Sequence, residues 1–464
     1  MDEKTKKKKA KGGRAKRRAK RAELGLEPVS KTDKPKAAKP KASKSSSSAP
    51  KRHARAPGGT SERAERSERA PMAPRRALTQ RGLPTRGRGD ATLLAHLEDA
   101  WSAADADPDE LTHGFHSYPA RMHPLLARRC LDITEGTVLD PFCGSGTVVI
   151  EAMLAGRRSA GVDLNPIGLR LAEVKSSLRH EAGRENFAAL LRDIAERSEA
   201  RVRARVPVHA PLSREETSWY GGHTLKELAG LREEILTTED VRERRCLEMV
   251  FSSLVVKFSM QRADTAERRV DKRIRKGLPT EFFVRRGLEL VERWAALDDA
   301  APDGAPRPEL RLGDARHLKE VLPIGFSAKL ILTSPPYGGT YDYIDHHARR
   351  YPWLGMEPVQ LEKNEIGARR SSHGAGAAKA WDKELGQALT AMKSVLHRDG
   401  VAVLLIGDGL LAGKAVPADE QLMRIAPKHG LEVRAIASQE RHDWQGGDFR
   451  SEHLVALVPA PKSS

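Results

Sequence analysis

The sequence predicts an α/β fold: one largely parallel sheet of seven strands, a helical insertion after the second strand, and a basic, disordered amino-terminal tail. Three observations carry this. Residues 137–175, "TVLDPFCGSGTVVIEAMLAGRRSAGVDLNPIGLRLAEVK", read as strand, glycine-rich turn, helix, strand and helix, a βαβ unit of roughly 30 residues. From about His180 to Pro308 no strand-like alternation occurs, and apolar positions recur at helical spacing. The α/β pattern then returns in "PELRLGDARHL", "SAKLILTSPPY", "GVAVLLIGDG", "EVRAIASQERH" and "EHLVALVPA".

Taken in order, residues 1–91 form the tail. The 464-residue chain has a net charge of +18, yet residues 1–90 hold 29 Lys and Arg against nine Asp and Glu, and the remainder 52 against 54. All the excess positive charge therefore lies in the tail. Stretches such as "MDEKTKKKKAKGGRAKRRAKRAELG" have almost nothing to bury and should stay disordered. Such a tail can neutralise phosphates without reading sequence, a plain solvated extension being the alternative. Its charged start has no apolar stretch behind it, so it is not read as a signal peptide. No apolar run approaches the roughly 20 residues that span a bilayer. Cys130, Cys143 and Cys246 are too scattered for a disulfide framework or a zinc knuckle, which points to a reducing, cytoplasmic setting and no metal site.

From about Thr92 the chain becomes globular. "HPLLARRCLDI", His123 to Ile133, predicts a helix with Pro124 in its first turn. Strand Thr137–Asp140 follows, then the turn Gly144-Ser145-Gly146, helix Thr147–Ala155 and strand Ser159–Asp163. Glycines there let the backbone approach a ligand, and the helix start offers N–H groups to a carboxylate or phosphate. Asp163, at the end of the next strand, suits ribose hydroxyls. These features alone fit NAD as well as another nucleoside, since the full G-x-G-x-x-G is absent. Cys143, inside the turn, reads as a small packed residue.

The helical stretch includes "HTLKELAGLREEILTT", "RERRCLEMVFSSLVVKFSM" and "PTEFFVRRGLELVERWAAL". Gln261 to Arg286 carries nine basic and four acidic residues, the densest basic run outside the tail. A helix-borne cluster of that kind suits a phosphate backbone, a salt-bridged surface helix being the alternative. Later, "KLILTSPPYGGTYDYIDHH" runs from buried strand-formers into two prolines. These cannot extend a central strand, so the chain leaves the sheet at Ser334 in a stiff loop. Open α/β sheets place ligands at such carboxyl ends. Tyr341, Tyr343 and Asp345 line a base channel or pack on the sheet; His346 and His347 reach phosphate or are structural. Trp444, in "RHDWQGGDFR", belongs to a substrate-side loop or a plain hairpin.

Together "DPFCGSGT", "GVDLNP" and "TSPPY" resemble the amino-methyltransferases of nucleic acids, over most of residues 113–180 and 309–458. The resemblance implies a Rossmann-like, seven-stranded class I methyltransferase sheet and S-adenosyl-L-methionine (SAM) as cofactor. "SPPY" is similar to the cytosine-N4 DNA methyltransferases. "HGFHSYPARMHP" stands where that family closes over the methionine end of SAM, and departs from the commoner Lys-Pro wording. Carried over by position, Asp140 and Gly144, Ser145 and Gly146 hold the amino-acid end, Asp163 the ribose, and Asp314 lies beside the adenine. Tyr118, Pro119, Pro141, Phe142, Thr147 and Asn165 complete the cofactor set. Ser334, Pro335, Pro336 and Tyr337 form the catalytic loop.

A base amine is a poor nucleophile because its lone pair is delocalised into the ring. The Ser334 hydroxyl and Pro335 carbonyl can accept its N–H hydrogens and favour a pyramidal nitrogen, while Tyr337 stacks on a flipped base. Residues 92–180 and 309–464 are then the SAM-binding and catalytic halves of one domain. The insertion, 181–308, becomes the candidate for target recognition, with Arg268, Arg269, Lys272, Arg273, Arg275, Lys276, Tyr341 and Tyr343 as nucleic-acid contacts. The implied function is site-specific methylation of duplex DNA, cytosine N4 before adenine N6, in a setting where a restriction enzyme could accompany the protein. An RNA methyltransferase of the guanine-N2 type is the runner-up; a non-catalytic nucleic-acid scaffold and a small-molecule methyltransferase stand behind it.

Overall fold

Short apolar runs without alternation belong in parallel strands covered by helices on both faces. Val138–Asp140 is buried throughout, and Ala328–Thr333 nearly so. The structure, a computed structural model, describes residues 85–102, 107–264, 268–442 and 449–461. Its strands are β1 (Thr85–Gly89), β2 (Val138–Asp140), β3 (Ser159–Asp163), β4 (Glu309–Leu312), β5 (Ala328–Thr333), β6 (Leu396–Gly407), β7 (Gly409–Leu411), β8 (Lys414–Val416), β9 (Leu431–His442) and β10 (Phe449–Pro459). One sheet holds eight strands in the order β1-β9-β10-β6-β5-β2-β3-β4, and β7-β8 make a separate ribbon.

The five strands from β4 to β6 are parallel. β10 runs antiparallel to both β6 and β9. The chain winds outward from β2 through β3 to β4, then returns to β5 on the other side of β2. That reversal is the switch point at which open sheets leave a crevice. This is the expected Rossmann-like α/β arrangement, and the seven expected strands are all in the sheet.

The eighth strand corrects the tail boundary. Residues 1–84 lie outside the described residues, but Thr85–Gly89, assigned to the tail, forms the sheet edge. β1 pairs antiparallel with β9, Thr85 opposite Gln439 and Gly89 opposite Ala435. Its "TRGRG" is mostly exposed and has no apolar face to betray it; backbone pairing and the Arg88–Asp419 ion pair, 2.8 Å, hold it. Beyond β6, Asp408 accepts the backbone N–H of Ala418 and of Ser451, both at 3.0 Å. His453 bridges Asp408, at 3.0 Å, to Ser438, at 2.7 Å.

Helices Glu181–Arg203, Gly222–Leu236, Val241–Phe258 and Leu278–Ala300 fill the region between β3 and β4. Their core, including Leu191, Leu247, Phe283 and Trp294, is continuous with Ile167 and Leu171 behind β3 and with Tyr351 and Trp353 beyond β5. The insertion thus shares a core with the sheet's helices. Its basic run differs from expectation: residues 268–276 are irregular, and a helix resumes only at Leu278. The cause is local. Lys272 Nζ bonds the carbonyls of Lys257, at 3.0 Å, and Gln261, at 2.6 Å. It thereby satisfies the end of the preceding helix as the chain doubles back. Among the described residues no helix is long and apolar enough to cross a membrane.

Candidate active site

At the carboxyl ends of β2, β3 and β5 lies a cavity of about 800 Å³, its open mouth included. Small-molecule sites fall in this size range. Asp140 ends β2, and its Oδ1 accepts the Thr333 hydroxyl at 2.6 Å and the Phe142 N–H at 3.1 Å. Asp163 ends β3; it accepts the Gly144 N–H at 2.7 Å and the Asn165 N–H at 2.7 Å. The glycine turn is therefore clamped to the neighbouring strand's acid. Burial raises both acids, Asp140 to about 7 and Asp163 to about 6, against the hydrogen bonds that favour their charged forms.

The turn needs its glycines. Gly144 has φ +48°, and a Cβ there would meet the Tyr118 ring at 2.8 Å. Gly146 has φ +88°, and a Cβ would lie 2.7 Å from the Ala172 methyl. Tyr118 thus lies directly over the turn. Asn165 caps the next helix by accepting the Ile167 N–H at 3.0 Å, and Tyr351 donates to the same oxygen at 3.3 Å.

Of the residues singled out from sequence, Tyr118, Pro119, Asp140, Pro141, Phe142, Gly144, Ser145, Thr147, Asp163, Asn165, Ser334, Pro336 and Tyr343 line this one cavity. Gly146 packs beneath the turn instead. Asp314 is engaged by Arg316, 2.6 Å away, while its neighbours Gly313 and Ala315 face the cavity. Pro335 is buried, and Tyr337, 2% exposed, donates to Glu452 at 2.7 Å. Tyr337 therefore packs into the core, where a stacking role had been expected. Tyr341 lies against Tyr343, ring centroids 6.1 Å apart, outside the cavity lining.

His346 and His347 are both buried, which removes the phosphate contact considered for them. His347 stacks near Tyr118, centroids 5.3 Å apart, and burial holds it neutral. Cys143 packs against Gly161, and burial pushes its thiol far from reactivity. Trp444 lies outside the described residues. Of the basic run, Lys272 is spent on backbone carbonyls, Arg269 stacks on Trp219 at 4.9 Å, and Arg275 pairs with Glu281. Arg268, Arg273 and Lys276 are exposed.

Sequence reasoning missed Arg121, Met122, Leu361, Glu365 and Ile366 on the cavity wall. Glu365 accepts the Tyr343 N–H at 2.8 Å and pairs with Arg370. It also missed a clasp behind Tyr118. Asp264, from the insertion, accepts Arg350 at 2.5 Å and the Ser117 hydroxyl at 2.9 Å. Burial would raise this acid, but Arg350 and His346 outweigh it and hold it down at about 2.

Residues 3–173 match the family model described as DNA methylase of the N6/N4 type. The Type II methyltransferase M.MvaI of Kocuria varians is 36% identical over 74 residues, 15% of this chain and 16% of that protein. M.MjaII of Methanocaldococcus jannaschii is 36% identical over 67 residues, 14% and 12% of the two chains. M.AvaI of Nostoc is 23% identical over 270 residues, 53% of this chain and 55% of that one. The chain thus spans about half, or much less, of the curated relatives it matches. Among solved structures, the rRNA methyltransferase aviRa of Streptomyces viridochromogenes aligns at 15% identity and a TM-score of 0.30 over 77% of this chain and 94% of that one, too slight a likeness to bear on function. A cavity at the switch point, lined by a glycine turn and two strand-end acids, is the candidate ligand site. The sequence matches liken part of the chain to a DNA methylase family model and to Type II methyltransferases.

Proposed function

We propose that the protein transfers a methyl group from SAM to an exocyclic amine of a base in duplex DNA, with cytosine N4 preferred over adenine N6. The observation that carries this is the convergence of Ser334 and Pro336 on the cavity that also contains the glycine turn and Asp163. The wall fits the cofactor by its donor set: Asp163 as hydroxyl acceptor, Leu361 and Ile366 as apolar faces for a ring, and the turn for the amino-acid end. Bound there, SAM would supply an electrophilic methyl.

The chain's own residues then have distinct tasks. Ser334 accepts an N–H hydrogen of the base amine, with the Pro335 carbonyl as second acceptor, so that the nitrogen's lone pair leaves the ring system as it attacks. Two prolines keep these acceptors from relaxing away. Tyr343, on the cavity wall, takes over the base-facing role considered for Tyr337. Arg268, Arg273 and Lys276 meet the phosphate backbone, and the insertion reads the target. Preference for cytosine rests on the wording Ser-Pro-Pro-Tyr.

The test is incubation with labelled SAM and duplex DNA or total RNA in parallel, with modified nucleosides identified by mass spectrometry. N4-methylcytosine from DNA is the expected product. N6-methyladenine would correct the base, and label confined to RNA would overturn the substrate. Ser334→Ala should slow transfer on the order of 10²-fold with SAM affinity unchanged; equal loss of both would remove Ser334 from its role.

A further inference from the structure

Lys175 ends the helix that follows β3 and is 0% exposed. A lysine in that position ordinarily reaches solvent with its ammonium group and buries only its stem. This one is turned inward, and among the described residues its hydrogen-bond partner is Ser145 Oγ, 3.1 Å away. Burial drives its pKa well below the usual lysine range; Arg121 and Arg293 add to the effect and Asp109 opposes it. A buried ammonium with so little compensation is costly, and a bound anion would offset that cost.

Ser145 belongs to the glycine turn and lines the cavity. The Nζ donates to the serine oxygen, and an anion bound nearby would favour the charged ammonium, which has three N–H donors and no lone pair. The serine's own proton is then left to donate elsewhere, and the cavity is the side open to it. A carboxylate bound at that point would meet the hydroxyl, and its charge would favour the protonated form of the lysine behind it.

We propose that Lys175 is a positioning residue for the carboxylate of the cofactor's amino-acid end: it holds Ser145 as a hydroxyl donor and makes the glycine turn selective for ligands that carry that carboxylate. The inference rests on the SAM reading above. It separates Lys175 from a purely structural lysine, which would affect all ligands of the cavity alike.

The experiment is calorimetric titration of the full chain and of Lys175→Met with two ligands, S-adenosylhomocysteine and 5′-methylthioadenosine. The second keeps the nucleoside and the thioether and lacks the carboxylate. Lys175→Met should weaken S-adenosylhomocysteine about tenfold or more and leave 5′-methylthioadenosine within about twofold. Ser145→Ala, which leaves the lysine in place, should give the same selective loss, and it serves if the methionine variant does not fold. Equal weakening of both ligands, or no weakening, overturns the proposal. If the unaltered chain binds neither ligand, the SAM reading itself is overturned, which is a different result from loss of selectivity.

Discussion

Asp140 and Asp264 are both buried acids, 4% and 8% exposed, and they are held in opposite ways. Asp264 has a cation at 2.5 Å, Arg350, itself buried, and a hydroxyl from Ser117. Among the described residues Asp140 has a hydroxyl and a backbone N–H as hydrogen-bond partners and no basic group. Burial therefore wins at Asp140 and raises it to about 7, while Arg350 wins at Asp264 and lowers it to about 2. The first arrangement leaves a carboxyl on the cavity wall at some cost in stability. The second fastens the insertion to Ser117, next to Tyr118 on the cavity wall.

The largest effect should come from opening that clasp. Asp264→Asn leaves Arg350 buried beside a neutral amide, and loss of one partner of a buried pair costs about 3–5 kcal/mol. Chemical denaturation reads this directly, and a loss below about 1 kcal/mol would mean the pair is solvated and the comparison false. The pH dependence has a definite sign. A depressed acid stabilises above its unfolded value near 3.9, so this contribution is present above about pH 4 and is lost as pH falls toward about 2.

Asp140 should behave in reverse. Its folded value lies above its unfolded one, so the unliganded protein binds a proton that the unfolded chain releases, and stability declines as pH rises from about 4 to about 7. Asp140→Asn should flatten that decline and raise stability at pH 8 by on the order of 2 kcal/mol. SAM affinity should fall in the same variant, about tenfold. A variant that gained stability and kept full affinity would show that Asp140 serves only the fold.

The same contrast explains what could be read in advance. Asp140, Gly144, Ser145 and Asp163 lie within 24 positions of one another, and strand-turn-helix geometry alone brings them together. Asp264 and Arg350 are 86 positions apart, and their meeting depends on how the insertion packs against the segment after the Ser334–Tyr337 loop. Glu365 joins the cavity for the same reason, through the fold of residues that carry no periodic signal. β1 escaped notice because "TRGRG" contributes backbone and charge, with no apolar side chain to register in a pattern. The basic run was legible as charge and misread as helix, since only the structure shows Lys272 turned back onto the preceding helix end.

That last point yields the smallest and most specific effect. Arg268, Arg273 and Lys276 are exposed, whereas Lys272 is occupied with the carbonyls of Lys257 and Gln261. Each phosphate contact contributes about 0.9 to the slope of log affinity against log salt. Arg273→Ala should therefore weaken duplex binding only a few-fold and lower that slope by about 0.9, equally for all sequences. Lys272→Met should leave the slope alone and lower stability, because its loss unties a helix end and removes no phosphate contact. If the two variants changed places, with Lys272 controlling the salt slope, the segment would have to rearrange on meeting DNA, and the insertion would be a moving element where the clasp at Asp264 implies a fixed one.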